Sequence, residues 1–364
     1  MKKIVIVTGG LGSGGLERVV AHIANHYSNT GWDVSIVCLL DNKNNVFVKL
    51  EKNVKTIFFS KEDEEEPRNI KKVFLIKKWI TFLKKQIEEL KPTIVFTMTL
   101  KIASLVSLAC GKRRSFRLVM REISDPKSKV RSPFVDFFLF RICKSIDSII
   151  FQTEWEKRCY PSFLQEKGVV VFNPIKVYDT SDGIFENKIV TMGRLLNNQK
   201  RHDVLIKAFS MFSKNNKDYT LKIYGEGPDF EKDIHLIKKL NIENRVVFCG
   251  AQKNVHTLIK NSSMFIMTSD YEGLSNALVE AMLIGVPCIS SDWPGASELI
   301  ENGRNGFIYK RQNVKQLVGF MNALANDKNL AKTFSENGKK ESWKYDLDTI
   351  LPLYCKAIEG DKNE

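Results

Sequence analysis

Short apolar runs alternate with amphipathic helical stretches along nearly the whole 364-residue chain. Most of these runs are continuously apolar, which is typical of strands whose two faces are both covered by helices. A helical stretch lies between one run and the next, as in β-α units whose strands are parallel. The sequence therefore predicts an α/β protein built from doubly wound parallel sheets.

The predicted strands are Lys3–Thr8, Asp33–Leu39, Thr93–Met98, Arg117–Met120, Ser148–Phe151, Lys188–Met192, Thr220–Tyr224, Arg245–Phe248, Ser263–Met267 and Pro287–Ser290. The clearest predicted helices are Gly15–Tyr27, Arg201–Lys214 and Ser275–Ile284. A chain of this length exceeds what one hydrophobic core usually supports. Turn-forming residues over 179–183 interrupt the pattern before the strand at Lys188 restarts it. We therefore predict two Rossmann-like domains, residues 1–172 and 173–345.

The net charge of +14 is concentrated in the first domain, because residues 1–172 hold 30 Lys and Arg against 18 Asp and Glu, whereas residues 173–364 hold 26 against 24. This imbalance indicates an anionic partner, either nucleic acid or a membrane surface, with a solubilising surface as the simpler alternative. No nucleic-acid-binding module is present in the sequence. An amphipathic Lys-rich segment, 71–87, and an aromatic segment, 132–140, fit a membrane surface or the domain core. We expect contact with an anionic membrane surface and no nucleic acid.

The sequence favours a cytoplasmic location, peripheral on the inner face of the cell membrane. The apolar run after Lys3 is too short for a signal peptide, and no run reaches the roughly 18 uncharged apolar residues of a membrane span. Seven cysteines are scattered without a C-x-x-C pair, as in proteins of a reducing cytosol.

A glycine loop follows the first predicted strand, with a G-x-G-x-x-G pattern at Gly10, Gly12 and Gly15. Such glycines let the backbone approach a phosphate at a helix N-terminus. Asp41 follows the second strand and supplies the acid of a dinucleotide site, although the spacing is longer than usual. An NAD-dependent oxidoreductase or epimerase and a purely structural turn are therefore alternatives for this loop.

A second constellation follows the strand that ends at Met267, where Glu272 and Glu280 bracket the predicted start of a helix at Ser275. Free amide groups at that position favour an anion, and a carboxylate accepts two hydrogen bonds from vicinal sugar hydroxyls. The pair therefore suits a nucleotide-sugar, with ordinary decoration of a helix N-terminus as the alternative.

At this point the chain resembles the retaining glycosyltransferases of family GT4, which have the GT-B fold. The matching elements, in the family's order, are Gly14-Gly15-x-Glu17-Arg18, Asn173-Pro174, Gly193-Arg194 with Gln199-Lys200, Gly225-Glu226-Gly227-Pro228, Phe248-x-Gly250, and Glu272 and Glu280 followed by Ala281-Met282. They extend over nearly the whole chain. Each element is weak by itself, whereas the ordered set is specific.

The resemblance implies an architecture and a reaction. Two facing Rossmann-like domains enclose an interdomain cleft, and a C-terminal helix over about 346–360 packs back on the acceptor-binding N-terminal domain. The C-terminal domain, 173–345, binds the nucleotide-sugar. The implied reaction transfers a hexose or N-acetylhexosamine, most simply from a UDP-sugar, to a lipid-linked saccharide in the synthesis of capsule, lipopolysaccharide or another cell-surface glycan, with retention of configuration.

The resemblance also assigns roles to single residues. Glu272, Arg194 and Lys200 are the implied catalytic residues, because cationic side chains stabilise a departing diphosphate. The implied donor-binding residues are Gly14, Gly15, Gly273, Leu274, Ser275 and Glu280. No cofactor is expected, since the nucleotide-sugar is a substrate and the cationic side chains take the place of a metal ion.

The chain departs from the family in two places. Arg201 follows Lys200, where many relatives have glycine. No histidine lies near the expected acceptor hydroxyl, and the corresponding segment contains Arg121 and Glu122. Glu122 or the nearby Asp125 is a candidate for orienting the acceptor and Arg121 for holding a phosphate, with a structural Arg-Glu pair as the alternative. A non-enzymatic nucleotide-sensing protein that keeps the fold is a further alternative, which the charged diphosphate motifs disfavour.

Overall fold

The computed structural model describes residues 2–12, 15–40, 46–59, 72–123, 133–176, 180–181, 183–252 and 255–360. The chain divides into two compact units, Met1–Pro174 with Asp348–Glu364, and Ile175–Leu347. The division lies close to the predicted boundary after residue 172. Each unit contains one parallel sheet covered by helices.

The strands of the first unit are β1 (Lys3–Thr8), β2 (Asp33–Cys38), β3 (Lys55–Phe58), β4 (Ile94–Thr97), β5 (Arg117–Arg121), β6 (Ser148–Phe151) and β7 (Gly168–Val170). Its helices before the second unit are α1 (Gly15–Asn29), α2 (Lys72–Leu90), α3 (Leu100–Cys110), α4 (Pro133–Ile142), α5 (Glu154–Arg158) and α6 (Ser162–Gln165). In the described part of the chain the strands are parallel, in the order β3-β2-β1-β4-β5-β6-β7. Alternate strand residues enter two separate cores, one on each face of the sheet.

The strands of the second unit are β8 (Glu186–Met192), β9 (Thr220–Tyr224), β10 (Val246–Gly250), β11 (Ser262–Met267), β12 (Cys288–Ser291) and β13 (Phe307–Tyr309). Its helices are α7 (His202–Phe212), α8 (Phe230–Lys239), α9 (Val255–Ile259), α10 (Asn276–Ile284), α11 (Ala296–Leu299), α12 (Val314–Asn326) and α13 (Lys328–Ser342). Among the described residues the parallel strands follow the order β10-β9-β8-β11-β12-β13. The large core of this unit includes Phe209, Phe212 and Phe334, all almost fully buried.

The two predicted doubly wound sheets are confirmed. All of the predicted strands are present, with ends that differ by no more than two residues. The strands that the sequence did not reveal are β3, β7 and β13, each at the edge of its sheet. They are short and partly exposed, so they lack the continuous apolar run that identifies a central strand.

The last helix, α14 (Leu347–Glu359), packs on the first unit although it follows the second in sequence. Its buried residues Ile350, Tyr354 and Ile358 belong to the same core as α1. Arg121 donates from Nε to the Tyr354 hydroxyl over 2.7 Å, which fastens the helix to the end of β5. Burial of this apolar face favours the return of the chain to the first unit.

A buried polar network lies beneath this helix in the first unit. Glu156 has no exposed surface and accepts hydrogen bonds from the Gln152 backbone amide (2.7 Å) and side-chain amide (3.1 Å). Burial raises the pKa of Glu156 from 4.5 to about 8, and the nearby Glu122 carboxylate acts in the same direction. The folded protein therefore binds a proton at Glu156 that the unfolded chain has released at neutral pH.

We predict that this carboxyl makes the protein less stable as the pH rises. Because the folded pKa lies above the unfolded value, its favourable contribution is complete below about pH 4.5 and is lost as the pH rises through about 8. Between pH 6.5 and 8 the contribution should fall by up to about 1.4 kcal/mol per pH unit. Urea unfolding of the wild type and Glu156→Gln at several pH values measures this slope, which should be smaller in the variant.

The control for this experiment is Glu166→Gln, which changes an exposed carboxylate in the same unit. It should keep the wild-type slope. An unchanged slope in Glu156→Gln would show that Glu156 is already ionised in the folded protein.

Candidate functional site

In the second sheet, the direction in which successive strands are added reverses between β8 and β11. These strands are neighbours, but the chain passes from β8 to β9 on one side and reaches β11 on the other. The loops that follow β8 and β11 therefore diverge toward opposite faces and leave a crevice, which is where open α/β sheets bind ligands. The predicted residues Arg194 and Lys200 lie on the first loop, and Glu272 and Gly273 lie on the second.

Glycines hold the loops after β8 and β9 in close contact. A Cβ atom at Gly225 would lie 1.9 Å from the Gly193 carbonyl oxygen, and Gly225 has a positive φ of 138°. A Cβ atom at Gly227 would lie 2.3 Å from the carbonyl oxygen of Leu195. No other residue fits at these positions without moving the backbone. The loop after β8 and the loop after β9, which are separate in the sequence, therefore pack directly against each other beside the crevice.

Lys200 and Glu272 contact each other across the crevice. Lys200 Nζ lies 2.6 Å from Glu272 Oε1, and the side chains are only 19% and 8% exposed. The loops are joined further by a hydrogen bond from the Thr268 hydroxyl to the Lys200 carbonyl oxygen (2.7 Å) and by one from the Asp270 amide to the Gln199 carbonyl oxygen (2.8 Å). The structure thus brings together a predicted diphosphate-binding cation and a predicted sugar-binding carboxylate.

Helix α10 begins at Asn276, one short loop after Glu272, with Ser275 as its N-cap. The Ser275 hydroxyl accepts a hydrogen bond from the Leu278 amide over 3.3 Å and is therefore used by the helix itself. Within the described part of the chain, the amides of Gly273, Leu274 and Ser275 donate no hydrogen bond. These amides and the helix dipole favour an anion at this position.

Glu280 lies on the second turn of α10 and is almost completely buried. Its Oε2 atom lies 3.3 Å from Nε2 of His256, a residue of the short helix α9. The sequence did not identify His256, because a lone histidine outside any motif gives no indication of a site. The structure therefore adds an imidazole to the surroundings of the predicted ribose-binding carboxylate.

Arg194 is exposed on the loop after β8, in contrast to Lys200. Its neighbour Gly193 lies against the Lys200 side chain, since a Cβ atom at Gly193 would be 3.4 Å from Cδ and Cε of Lys200. Arg194 thus lies near the start of the loop that ends in the Lys200–Glu272 contact.

Arg201 stands where the family resemblance leads us to expect glycine after Lys200. Its backbone is in the left-handed region, with φ 54° and ψ 42°, a conformation that glycine adopts at no steric cost. The guanidinium donates two hydrogen bonds to the Asp203 carboxylate (2.9 and 3.1 Å) and one to Asp270 (3.1 Å). Ion pairs therefore offset the backbone strain and tie the start of α7 to the loop that carries Glu272.

We predict that the order of stability of glycine and alanine variants at Arg201 is the reverse of the usual helical order. Arg201→Gly and Arg201→Ala lose the same ion pairs, but only glycine relieves the left-handed strain, so the glycine variant should be more stable by about 1 kcal/mol. Urea or thermal unfolding of the two proteins gives the difference.

The matched control is Lys207, a half-exposed residue inside α7 that pairs with the same Asp203. Lys207→Ala should be more stable than Lys207→Gly by about 1 kcal/mol, the ordinary helix propensity. The same order of stability at both positions would contradict the proposed strain at Arg201.

The glycine loop of the first unit is only partly described. Gly14 and the candidate dinucleotide acid Asp41 lie outside the described residues. Gly15 begins α1 and is partly buried. Among the described residues, a Cβ atom at Gly12 would have no neighbour within 4 Å, so packing does not require glycine there.

Of the candidate acceptor residues, Asp125 lies outside the described residues. Arg121 and Glu122 are buried in the first unit with at most 1% of their surface exposed. Besides Tyr354, Arg121 donates to the side-chain oxygens of Gln152 and Asn173. Glu122 accepts hydrogen bonds from the Tyr160 hydroxyl and the Ile123 amide. These contacts favour the structural alternative for both residues, since neither presents a polar group at the surface to an acceptor.

Among the described residues, no group of three or more His, Cys, Asp or Glu side chains is arranged to hold a metal ion.

Comparison with known proteins identifies the family of the second unit. Residues 183–341 match the family model "Glycosyl transferases group 1". This segment contains the crevice, the Lys200–Glu272 contact and Glu280. The chain therefore carries a group 1 glycosyltransferase domain.

Similarity to individual proteins extends over the whole chain. An uncharacterized glycosyltransferase of Haemophilus influenzae is 27% identical over 96% of this chain and 98% of that protein. The Campylobacter jejuni GalNAc-alpha-(1->4)-GalNAc-alpha-(1->3)-diNAcBac-PP-undecaprenol alpha-1,4-N-acetyl-D-galactosaminyltransferase is 27% identical over the full length of both chains. The solved structure of Anabaena HepE in complex with UDP-glucose is similar with a TM-score of 0.77, at 19% identity, over 99% of this chain and all of that chain. The GT-B fold class predicted from the sequence is confirmed.

Proposed function

We propose that the protein is a retaining glycosyltransferase that transfers a hexose or N-acetylhexosamine from a UDP-sugar to a lipid-linked saccharide of a cell-surface glycan. The observation that carries the proposal is the Lys200–Glu272 contact beside the amides of Gly273 and Leu274, which donate no hydrogen bond to any described residue. Cation, amides and carboxylate at one sheet edge match the diphosphate and hydroxyl groups of a nucleotide-sugar.

The proposed reaction exchanges one bond at the anomeric carbon for another. The bond from that carbon to the β-phosphate oxygen breaks, and a bond to the acceptor hydroxyl oxygen forms on the same face. The proton of the acceptor hydroxyl passes to the departing phosphate oxygen. Arg194, Lys200 and the Gly273 amide stabilise the negative charge that develops on the diphosphate. No metal ion takes part in this proposal.

The two carboxylates hold the donor in place and do not act as the base. Glu272 accepts hydrogen bonds from hydroxyls of the transferred sugar, and Glu280 accepts them from the ribose. Lys200 leaves Glu272 when the diphosphate arrives, so the ion pair is exchanged for two new charge-assisted contacts. Glu272 remains compensated by hydroxyl groups, which limits the cost of opening a largely buried pair.

The acceptor class is supported by similarity and by charge. The Campylobacter relative is named for an undecaprenol-linked acceptor, and the bound ligand of the Anabaena protein is a UDP-sugar. Residues 1–172 carry the excess of Lys and Arg that suits an anionic lipid surface. In the described part of the chain, no helix has the length and apolar run to cross a membrane. We propose a peripheral position on the cytoplasmic face.

We predict that Lys200→Ala and Glu280→Ala each weaken UDP binding about tenfold or more, because each loses a charge-assisted hydrogen bond to the ligand. Isothermal titration calorimetry measures the affinity, and thermal unfolding verifies that the variants remain folded. The control is Lys207→Ala, which removes a lysine from α7 that pairs with Asp203 outside the site. Wild-type UDP affinity in both test variants would contradict the proposed donor site.

A donor screen with purified protein tests the activity itself. UDP or GDP release is followed for a panel of nucleotide-sugars, with and without polyprenyl-diphosphate saccharides as acceptors. We expect acceptor-dependent UDP release with one UDP-hexose or UDP-N-acetylhexosamine. UDP binding without turnover of any donor would favour a nucleotide-sensing protein. A thermal shift with NAD(H) and none with UDP would favour an oxidoreductase.

A further inference from the structure

A tight turn over residues 196–200, the Lys200 turn, carries Lys200 at its end. The Lys200 amide donates to the Leu196 carbonyl oxygen over 2.7 Å and closes the turn. The same end of the turn accepts the hydrogen bonds from the Thr268 hydroxyl and the Asp270 amide, which come from the loop across the crevice. The contacts at the start of the turn therefore decide how firmly its backbone is placed from the other end.

Asn197 joins the start of the Lys200 turn to two helices. Its backbone amide donates to Oδ2 of Asp229, the N-cap of α8, over 2.7 Å, and its Nδ2 donates to Oδ1 of Asp233 within α8 over 2.6 Å. Its Oδ1 accepts a hydrogen bond from the Asp203 amide of α7 over 3.3 Å. Asparagine is common in turns because its side chain bonds backbone groups two residues away. Here the side chain instead contacts residues 36 and 6 positions away, so it anchors the turn to the framework.

The partner in α8, Asp233, is buried at a cost to stability. Only 1% of its surface is exposed, and within the described part of the chain its Oδ2 atom has no hydrogen-bond partner. Burial raises the pKa of Asp233 from 3.8 to about 6, and the Asn197 hydrogen bond opposes this shift. Asp233 is therefore mostly ionised at neutral pH, and its bond to Asn197 is charge-assisted. A buried carboxylate with an unpartnered oxygen lowers stability, which points to a role other than packing.

We infer that Asn197 is a positioning residue for donor binding, which keeps the Lys200 turn in place while the Lys200 ammonium passes from Glu272 to the diphosphate. That exchange removes the ion pair across the crevice. The contacts of Asn197 involve neither partner of the ion pair, so they persist when it opens. The lysine stem is flexible, so its ammonium reaches a fixed phosphate reproducibly only from a fixed backbone. The inference rests on the proposed function, because only a nucleotide-sugar site requires Lys200 to bind a diphosphate.

Titration of the full-length protein with UDP and with uridine tests the role of Asn197. Asn197→Ala should bind UDP about fivefold more weakly, as loss of one hydrogen bond to a charged group requires. Its affinity for uridine should equal that of the wild type, because uridine carries no diphosphate. Calorimetry serves for UDP and an NMR titration for uridine, and thermal unfolding verifies that the variant is folded. Equal losses for both ligands, or none for UDP, would overturn the inference.

A double-mutant cycle tests whether Asn197 acts through Lys200. If it does, Asn197→Ala combined with Lys200→Ala should bind UDP no more weakly than Lys200→Ala alone. Additive losses would overturn the inference. The matched control is Asn216→Ala, which removes a partly buried asparagine of the same unit that donates to the Phe212 carbonyl oxygen and to Asn322 Oδ1. It should keep the wild-type UDP affinity, and a loss equal to that of Asn197→Ala would also overturn the inference.

An exchanged pair of side chains provides a rescue. Asn197→Asp alone sets a second carboxylate against Asp233 and should weaken UDP binding at least about fivefold. Adding Asp233→Asn restores the hydrogen bond with donor and acceptor exchanged and leaves the net charge as in the wild type. The double variant should bind UDP within about twofold of the wild type. An affinity as low as that of Asn197→Asp would overturn the inference.

Amide hydrogen exchange without ligand separates the inference from the proposed function. The amides of Gln199 and Lys200 both donate to Leu196, so they report on the Lys200 turn directly. Asn197→Ala should exchange them at least about fivefold faster than the wild type, and Asn216→Ala should not. Unchanged exchange in Asn197→Ala, with UDP binding by the wild type intact, would overturn the inference alone. Failure of the wild type to bind UDP would overturn the proposed function and, with it, the role of the turn in diphosphate binding.

Discussion

The contact between Lys200 and Glu272 is the interaction on which the rest of the candidate site depends. The two side chains come from loops on either side of the point where the second sheet reverses its winding. Because both are largely buried, neither charge is well compensated without the other. The loops are therefore fixed relative to each other, and the hydrogen bonds from Thr268 and Asp270 reinforce the same spacing. Close packing at Gly193 and Gly225 holds the first loop from its other side.

This arrangement connects stability to the proposed chemistry. In the proposed donor complex, Lys200 binds the diphosphate and Glu272 binds sugar hydroxyls, so the two charges that compensate each other in the free protein both find new partners. The amides at the start of α10 add partial positive charge that needs no rearrangement. Arg201 keeps the loop that carries Glu272 attached to α7 through Asp270. In this proposal the framework preorganises the site, and only Lys200 and Glu272 exchange partners when the donor binds.

The sequence predicted those features that depend on local pattern. Central strands such as β1 and β11 were found because burial on both faces requires continuous apolar residues, whereas the edge strands β3, β7 and β13 do not meet that requirement. The candidate residues Lys200, Glu272 and Glu280 followed from resemblance, but their partners did not. The ion pair across the crevice, the His256 contact with Glu280 and the ion pair between Arg201 and Asp270 all join distant segments. Only the folded sheet determines which of these segments meet.

A crystal structure of the protein soaked with UDP would test the central claim most directly. The account predicts density for the diphosphate against the amides of Gly273 and Leu274, with Lys200 moved from Glu272 to a phosphate oxygen and the ribose within hydrogen-bond distance of Glu280. Density for the nucleotide only at the glycine loop after β1, with the Lys200–Glu272 contact unchanged, would contradict it.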